Sequence, residues 1–342
     1  MNRTKVVITG GCSYSQFNNQ DVTWPEHLID ELKPDKIGLT GHGSVGNEYI
    51  SRIVISTVQL ALDEGYKPED ILVGVVWSGC DRGLYYSESA NIWDRATIMP
   101  NCGDRKEDQK NWFEDSIRQQ NKFSNLGNLI TFSEYEDNFH TYAHWLASSP
   151  MTIRDSKKSN FYTLNAHWQD KKTVGFYSQY MNPVYAIMQT CEHVLRTQWF
   201  LKSLNIKYFM TEYDHDVFTY MGPVKLDAYP NSGHREGVSA NIIPVDLKDI
   251  VSRSEADAKK AIRDKKHKEE MFTRHNHPEV NYLYDMIDKD YWLPVRDLKD
   301  WTLNESPYEQ REPTDPHPST KQQKDFTERV ILPFLLEKYH IS

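Results

Sequence analysis

The sequence predicts an α/β fold with a parallel sheet, in a single domain that spans residues 1–342. Two observations predict it: short apolar runs of strand length, and amphipathic helical patterns that alternate with them along the chain. The chain is also long enough to bury a substantial core. In such folds right-handed crossovers connect the strands, and ligands bind beyond the strands' carboxyl ends.

Four apolar runs have the length of buried parallel strands, the second of them being the weakest. They are Lys5–Ile8, Lys36–Leu39, Ile71–Trp77 and Ile206–Thr211. Helical patterns follow them in turn, with apolar residues spaced to form one stripe. These are Trp24–Leu32, Asn47–Glu64, Val184–Leu204 and Asp325–Tyr339.

Two stretches interrupt this alternation, at about residues 83–180 and 222–277. The first has no clear strand pattern, which predicts a helical insertion. The second includes Ser254–Phe272, where acidic and basic residues intermix as on a solvated helix. Both stretches follow a predicted strand, so we expect them to shape or cover the ligand-binding end of the sheet.

Composition argues against several functional classes. A net charge of −9 disfavours a nucleic-acid partner, and the lack of a long apolar run disfavours a membrane partner. The four cysteines form no CxxC pair, and the histidines lack the helical spacing of zinc enzymes, so no metal or cofactor is expected. The N-terminal residues do not resemble a secretory signal, which favours a cytoplasmic location.

The first segment with catalytic potential is VVITGGCSYSQF, in which a buried strand ends in Gly10–Gly11. Ser13 and Ser15 then fall at a predicted helix start, where free N–H groups favour negative charge. A nucleophilic serine fits there, with its own N–H directed at an oxyanion. The alternative is that one of these serines simply caps the helix.

Two further segments lie at the predicted ligand end. Gly38–Asn47 is a glycine-rich loop whose backbone can approach a ligand closely; alternatively it is a plain turn with Asn47 as the N-cap. Ile71–Arg82 is a buried strand that ends in small and polar residues, including Ser78. Arg82 either contacts a substrate or forms a structural ion pair with Asp81.

The fourth segment is Thr314–Ser319, which precedes the last helical pattern. Asp315 and His317 alternate with prolines, which restrict the backbone and so fix the relative placement of the two side chains. Histidine suits proton transfer near neutral pH, and the carboxylate can hold its tautomer. Ser319 as the N-cap of the last helix is compatible with this role.

In this order the four segments resemble the SGNH/GDSL hydrolase superfamily, whose members hydrolyse esters on a three-layer flavodoxin-like fold. The resemblance implies that Ser13 is the nucleophile and an oxyanion donor, and that Asp315 and His317 complete a catalytic triad. It also implies an oxyanion donor in the second segment, for which we prefer Gly43 to Gly46.

Two positions depart from the family pattern. Cys12 replaces the aspartate of the first block, and the strand Ile71–Trp77 is followed by no asparagine of the third block. Losing one oxyanion donor typically lowers turnover by roughly 10²–10³-fold. Ser78 is the candidate that would replace the missing donor. Arg82, Asn47 and Trp77 are the candidate substrate-binding residues.

The resemblance implies a serine hydrolase that acts on small acyl esters, with O-acetyl groups of a carbohydrate as the expected substrate. Two alternatives stay open: a weak or inactive binding or structural module, favoured by the missing asparagine, and an acyltransferase on the same fold. Within the superfamily the combination of segments is most similar to bacteriophage-encoded proteins, which implies association with a virion as another location.

Overall fold

The computed structural model describes residues 4–16, 22–41, 45–80, 82–86, 129–133, 135, 161–165, 183–214, 219–220, 272–273, 278–309 and 317–341. The strands are β1 (Val6–Gly11), β2 (Lys36–Leu39), β3 (Ile71–Trp77), β4 (Arg82–Tyr86), β5 (Ile130–Thr131), β6 (Phe161–Asn165), β7 (Lys207–Glu212), β8 (Thr219–Tyr220) and β9 (Phe272–Thr273). The helices are α1 (Trp24–Leu32), α2 (Asn47–Asp63), α3 (Pro183–Ser203), α4 (Pro278–Asp285), α5 (Leu298–Asn304), α6 (Thr320–Phe326) and α7 (Leu332–Tyr339).

A five-stranded sheet in the order β5-β2-β1-β3-β7 confirms the α/β class. The four predicted strands are β1, β2, β3 and β7, and they run parallel to one another. Every residue of β1 and β3 is buried, since both are inner strands covered on both faces. β1 therefore lies at the centre of the sheet, and its carboxyl end adjoins those of β2 and β3.

Helices cover both faces of this sheet. A side chain at Gly10 would meet Val54 of α2 at 2.5 Å. A side chain at Gly74, which pairs with Thr9, would meet Trp24 of α1 at 3.0 Å. Gly74 faces the same side of the sheet as its partner Thr9, and Gly10, the next residue after Thr9, faces the opposite side. α1 and α2 therefore lie on opposite sides of the sheet.

The prediction of a strandless helical insertion at about residues 83–180 is wrong. β4 and β6 form an antiparallel pair in this stretch, and β5 pairs antiparallel with β2, so the main sheet is not wholly parallel. A two-residue strand such as β5 is too short to produce a recognisable hydrophobic period. Most of the predicted charged helix Ser254–Phe272 lies outside the described residues, and Phe272 itself belongs to β9.

The last helical run begins at Thr320, five residues before the apolar pattern Asp325–Tyr339, and continues through a π turn (Thr327–Ile331) to Tyr339. The prediction of Ser319 as its N-cap is confirmed: the Ser319 Oγ accepts a hydrogen bond from the Gln322 N–H. The first turns escaped the apolar pattern because their buried face carries glutamines. Among the helices of the described residues, none is long and apolar enough to cross a bilayer.

The contact between α2 and α3 is polar as well as apolar. The Thr197 Oγ1 of α3 donates to the Ser51 Oγ of α2 at 2.7 Å. His193 lies on α3 near two cations, Arg196 and Arg52. Burial, reinforced by these cations, lowers the pKa of His193 to about 4 from an ordinary value of 6.5.

The low pKa of His193 predicts a loss of stability in acid. Between these two pKa values the unfolded chain binds a proton that the folded chain does not, so the free energy of unfolding decreases as the pH falls. His193→Gln removes this difference. Urea denaturation at several pH values should show the wild type losing about 1–3 kcal/mol relative to the variant as pH falls from about 7 to about 4. A difference that does not vary with pH would contradict this.

Two neighbouring leucines of α7 provide a matched test of the core. Leu335 is completely buried, whereas Leu336 is 52% exposed. We expect Leu335→Ala to lower the free energy of unfolding by about 2–5 kcal/mol, because it leaves a cavity. Leu336→Ala should change it by no more than about 0.5 kcal/mol. Similar losses in both variants, measured by urea denaturation, would show that α7 does not pack as described.

Candidate active site

A sharp turn after β1 positions Ser13. The Ser15 N–H donates to the Cys12 carbonyl at 2.9 Å, and Ser13 is the first residue of the resulting 3₁₀ turn. A Cβ at Gly11 would lie 2.3 Å from the Ser15 Oγ and 2.9 Å from the Val76 carbonyl oxygen, so only glycine fits at that position. The turn leaves Ser13 half-buried at the carboxyl edge of the sheet, while Cys12 and Ser15 are buried.

His317 lies directly against Ser13. Its Nε2 is 2.7 Å from the Ser13 Oγ, although the two residues are 304 positions apart in the chain. This is the distance of a short hydrogen bond between a hydroxyl and an imidazole. With Nε2 at the serine, Nδ1 is the nitrogen on which an orienting carboxylate acts. Asp315, the predicted carboxylate, lies outside the described residues.

The start of α6 is connected to α1 and to the serine turn, which fixes the position of His317. The Gln323 Oε1 accepts from the Trp24 N–H at 3.2 Å, and its Nε2 donates to the Tyr14 carbonyl at 3.4 Å. The Thr327 Oγ1 donates to the Trp24 carbonyl at 3.4 Å. These hydrogen bonds connect the helical segment that follows His317 to the turn that carries Ser13 and to the first residue of α1.

Aromatic rings support the imidazole from the side. The His317 ring lies 4.9 Å from the Tyr14 ring, and Tyr14 makes an edge contact with Tyr213 at 5.0 Å. Both tyrosines are buried. Because the Tyr14 ring contacts the imidazole without carrying charge, it restricts the orientation of His317 and leaves its ring nitrogens to other partners.

Ser15 has a structural role. Its Oγ accepts a hydrogen bond from the Trp24 Nε1 at 2.9 Å, and it is buried. The two serines of the first segment are therefore distinguished: Ser15 connects the turn to α1, and Ser13 faces His317. The N-cap of the 3₁₀ turn is Cys12, so neither serine is the capping residue.

Asn47 is not the N-cap of α2, which was one of the two roles that the sequence suggested for its loop. It is the first residue of α2, and Gly46 is the N-cap. The Asn47 Oδ1 accepts from the Ser78 N–H at 2.8 Å, while its Nδ2 donates to the Ser78 carbonyl at 2.8 Å and to the Thr190 Oγ1 at 3.2 Å. Asn47 is buried, and its hydrogen bonds connect α2, α3 and the end of β3.

Arg82 lies on the other side of Ser78. Its Nη1 donates to the Ser78 Oγ at 2.7 Å, and its guanidinium carbon is 5.0 Å from the centre of the Tyr213 ring, in a cation–π contact. Arg82 is half-buried. Asp81, its predicted ion-pair partner, lies outside the described residues.

The remaining predicted site residues lie at the end of β3 and in the glycine-rich loop before α2. Trp77 and Ser78 are fully buried, and Trp77 is one of the largest side chains of the core. Gly43, the preferred oxyanion donor, lies outside the described residues. A Cβ at Gly46 would lie 2.2 Å from the Arg82 carbonyl oxygen, so this glycine allows the start of α2 to approach β4 closely.

Sequence reasoning missed the residues that support the site, namely Tyr14, Tyr213 and Gln323. Tyr14 lies inside the first segment, and Tyr213 directly follows β7 at the carboxyl edge, so both positions were visible. The identity of the residues was not informative, because a chain with 20 tyrosines uses most of them in packing. Gln323 follows the Ser319–Gln322 capping box, which marks a helix start ahead of the apolar pattern Asp325–Tyr339.

Comparison with known proteins gave no match: no family model, no curated protein and no solved structure is significantly similar to the chain. Within the part of the chain that the structure describes, no three His, Cys, Asp or Glu side chains are grouped so that they could hold a metal ion.

Gln323 provides a test of the connection between α6 and the serine turn. Gln323→Ala leaves the buried Trp24 N–H and Tyr14 carbonyl without this partner, which we expect to cost about 1–3 kcal/mol of unfolding free energy. The matched control is Gln59→Ala, because Gln59 is exposed and its side chain bonds only to Asp63 of its own helix. Equal effects of the two substitutions on urea denaturation would contradict the described connection.

Proposed function

We propose that the protein is a serine hydrolase that cleaves small acyl esters, with Ser13 as the nucleophile and His317 as the general base. The observation that carries the proposal is the 2.7 Å contact between the Ser13 Oγ and the His317 Nε2. A serine hydroxyl is a weak nucleophile unless a base takes its proton, and a neutral imidazole at hydrogen-bond distance is such a base.

The proposed reaction proceeds through an acyl-enzyme. The Ser13 oxygen attacks the ester carbonyl carbon while its proton passes to the His317 Nε2. The imidazolium then gives this proton to the departing alkoxide as the carbon–oxygen bond breaks. Water attacks the acyl-serine with His317 again as the base, which releases the carboxylic acid and restores Ser13. Asp315 would hold His317 in the required tautomer through Nδ1.

The tetrahedral intermediate needs hydrogen-bond donors for its negatively charged oxygen. The Ser13 N–H is one candidate, because it belongs to the first residue of a turn that follows the strand directly. Gly43 and Ser78 are the other two, and both stay proposals. Asn47 does not serve as a donor here, since its two amide hydrogens bond to the Ser78 carbonyl and the Thr190 Oγ1.

Fold and substrate follow from the resemblance to the SGNH/GDSL superfamily. Its three-layer flavodoxin-like arrangement is supported by the strand order β2-β1-β3-β7 and by helices on both faces of the sheet. Small esters, and among them O-acetyl groups on a carbohydrate, are the proposed substrates. The missing third-block asparagine favours a second candidate, a non-catalytic binding module on the same fold.

Hydrolysis of p-nitrophenyl acetate tests the roles of the two serines. Ser13→Ala and His317→Ala should each lower kcat by at least about 10³-fold, because both the nucleophile and its base are needed. Ser15→Ala is the matched control. It removes the acceptor of the Trp24 indole N–H and should lower stability by about 1–3 kcal/mol while turnover continues. Retained turnover in Ser13→Ala would contradict the proposal, and an inactive wild type would favour the binding module.

A further inference from the structure

We propose that Arg82 is a positioning residue that directs the Ser78 hydroxyl, as a hydrogen-bond donor, at the oxyanion of the acyl-transfer reaction. The pair would take the place of the asparagine side chain that the third block lacks. This inference rests on the proposed function, because it assigns a role within the same site.

The hydrogen bond from Arg82 determines the direction of the Ser78 hydroxyl. A guanidinium group has five N–H donors and no acceptor. In the 2.7 Å contact between the Arg82 Nη1 and the Ser78 Oγ, the serine oxygen must therefore be the acceptor. Its own hydrogen then points away from Arg82. A residue with a carbonyl oxygen at position 82 could accept the Ser78 hydroxyl hydrogen, whereas arginine has no acceptor.

The remaining polar groups of Ser78 are already bonded. Its N–H donates to the Asn47 Oδ1, and its carbonyl accepts from the Asn47 Nδ2, each at 2.8 Å. Among the described residues, no atom accepts a hydrogen bond from the Ser78 hydroxyl. Ser78 is completely buried. A buried donor without an acceptor is unfavourable, so an oxygen of the bound substrate that accepts it gains binding free energy.

Strand register places Ser78 at the same edge of the sheet as the nucleophile. Gly11 of β1 pairs with Val76 of β3 in parallel register. Ser13 and Ser78 each follow two residues later, so both lie at the same edge of two adjacent strands, which are about 4.8 Å apart. The acyl carbonyl attacked by Ser13 would form its oxyanion in this region.

The charge of Arg82 makes the Ser78 hydroxyl a better donor. A cation bonded to the hydroxyl oxygen withdraws electron density from the O–H bond, and hydrogen bonds in such a chain strengthen one another. Arg82 is half-buried and lies over the Tyr213 ring at 5.0 Å, which limits its movement. The donor is therefore fixed before the substrate binds, as transition-state stabilisation requires.

A double-mutant cycle tests whether Arg82 acts through Ser78. Turnover of p-nitrophenyl acetate, a neutral ester, is measured for Ser78→Ala, Arg82→Met and the double variant. We expect Ser78→Ala to lower kcat by roughly 10²–10³-fold with little change in KM. Arg82→Met should lower kcat by at least about 10-fold. The double variant should be no slower than Ser78→Ala, because the arginine has no further effect once the hydroxyl is gone.

A second arginine–serine pair provides the matched control. The Arg196 Nε donates to the Ser51 Oγ at 3.1 Å between α3 and α2. Arg196→Met should leave kcat unchanged, and thermal melting of all variants shows whether they fold.

Three results would overturn the assignment of Arg82. Losses that multiply in the double variant would mean that Arg82 acts independently of Ser78. A loss confined to a negatively charged ester, with the neutral ester unaffected, would mean that Arg82 binds a substrate anion. A wild type that neither turns over the ester nor reacts with a fluorophosphonate would overturn the proposed function itself, and this assignment with it.

Discussion

The candidate site depends on one long-range contact, the 2.7 Å approach of the His317 Nε2 to the Ser13 Oγ across 304 positions of chain. Each residue is held by a different part of the fold. Ser13 leaves the central strand of the sheet through a turn in which glycine is required at position 11. His317 precedes a helix that Gln323 connects to α1 and to the serine turn. The sheet and the terminal helix must therefore both be in place before the two side chains can meet.

Around this contact, the carboxyl edge of the sheet contains buried polar groups that bond to one another. Asn47 binds both backbone groups of Ser78, and Arg82 binds its hydroxyl oxygen. Burying such groups without partners is costly, so these hydrogen bonds favour a single arrangement of the strand end. A site built from groups that are already oriented does not have to reorganise during the reaction, and this is where much of enzymatic rate enhancement originates.

The sequence predicted the parts of the fold that have simple apolar patterns. β1 and β3 are buried along their whole length, so their composition alone identifies them. The two-residue strand β5 has no such signal, because it exists only through pairing with the edge of β2. Glycines and prolines mark unusual backbone around Ser13 and His317, but their pairing was predicted only from the resemblance to a known family. The bonding of Asn47 and Arg82 to Ser78 was not predictable, because it depends on how α2, β3 and β4 meet in space.

The central claim is that Ser13 is activated by His317, and covalent labelling with a fluorophosphonate tests it most directly. The intact protein is labelled, digested, and the modified residue is identified by tandem mass spectrometry, with His317→Ala labelled in parallel. We expect one adduct, on Ser13 and not on Ser15, which forms at least about 10²-fold more slowly without His317. An adduct on another residue, no adduct in the wild type, or labelling of Ser13 at an equal rate in His317→Ala would contradict the account.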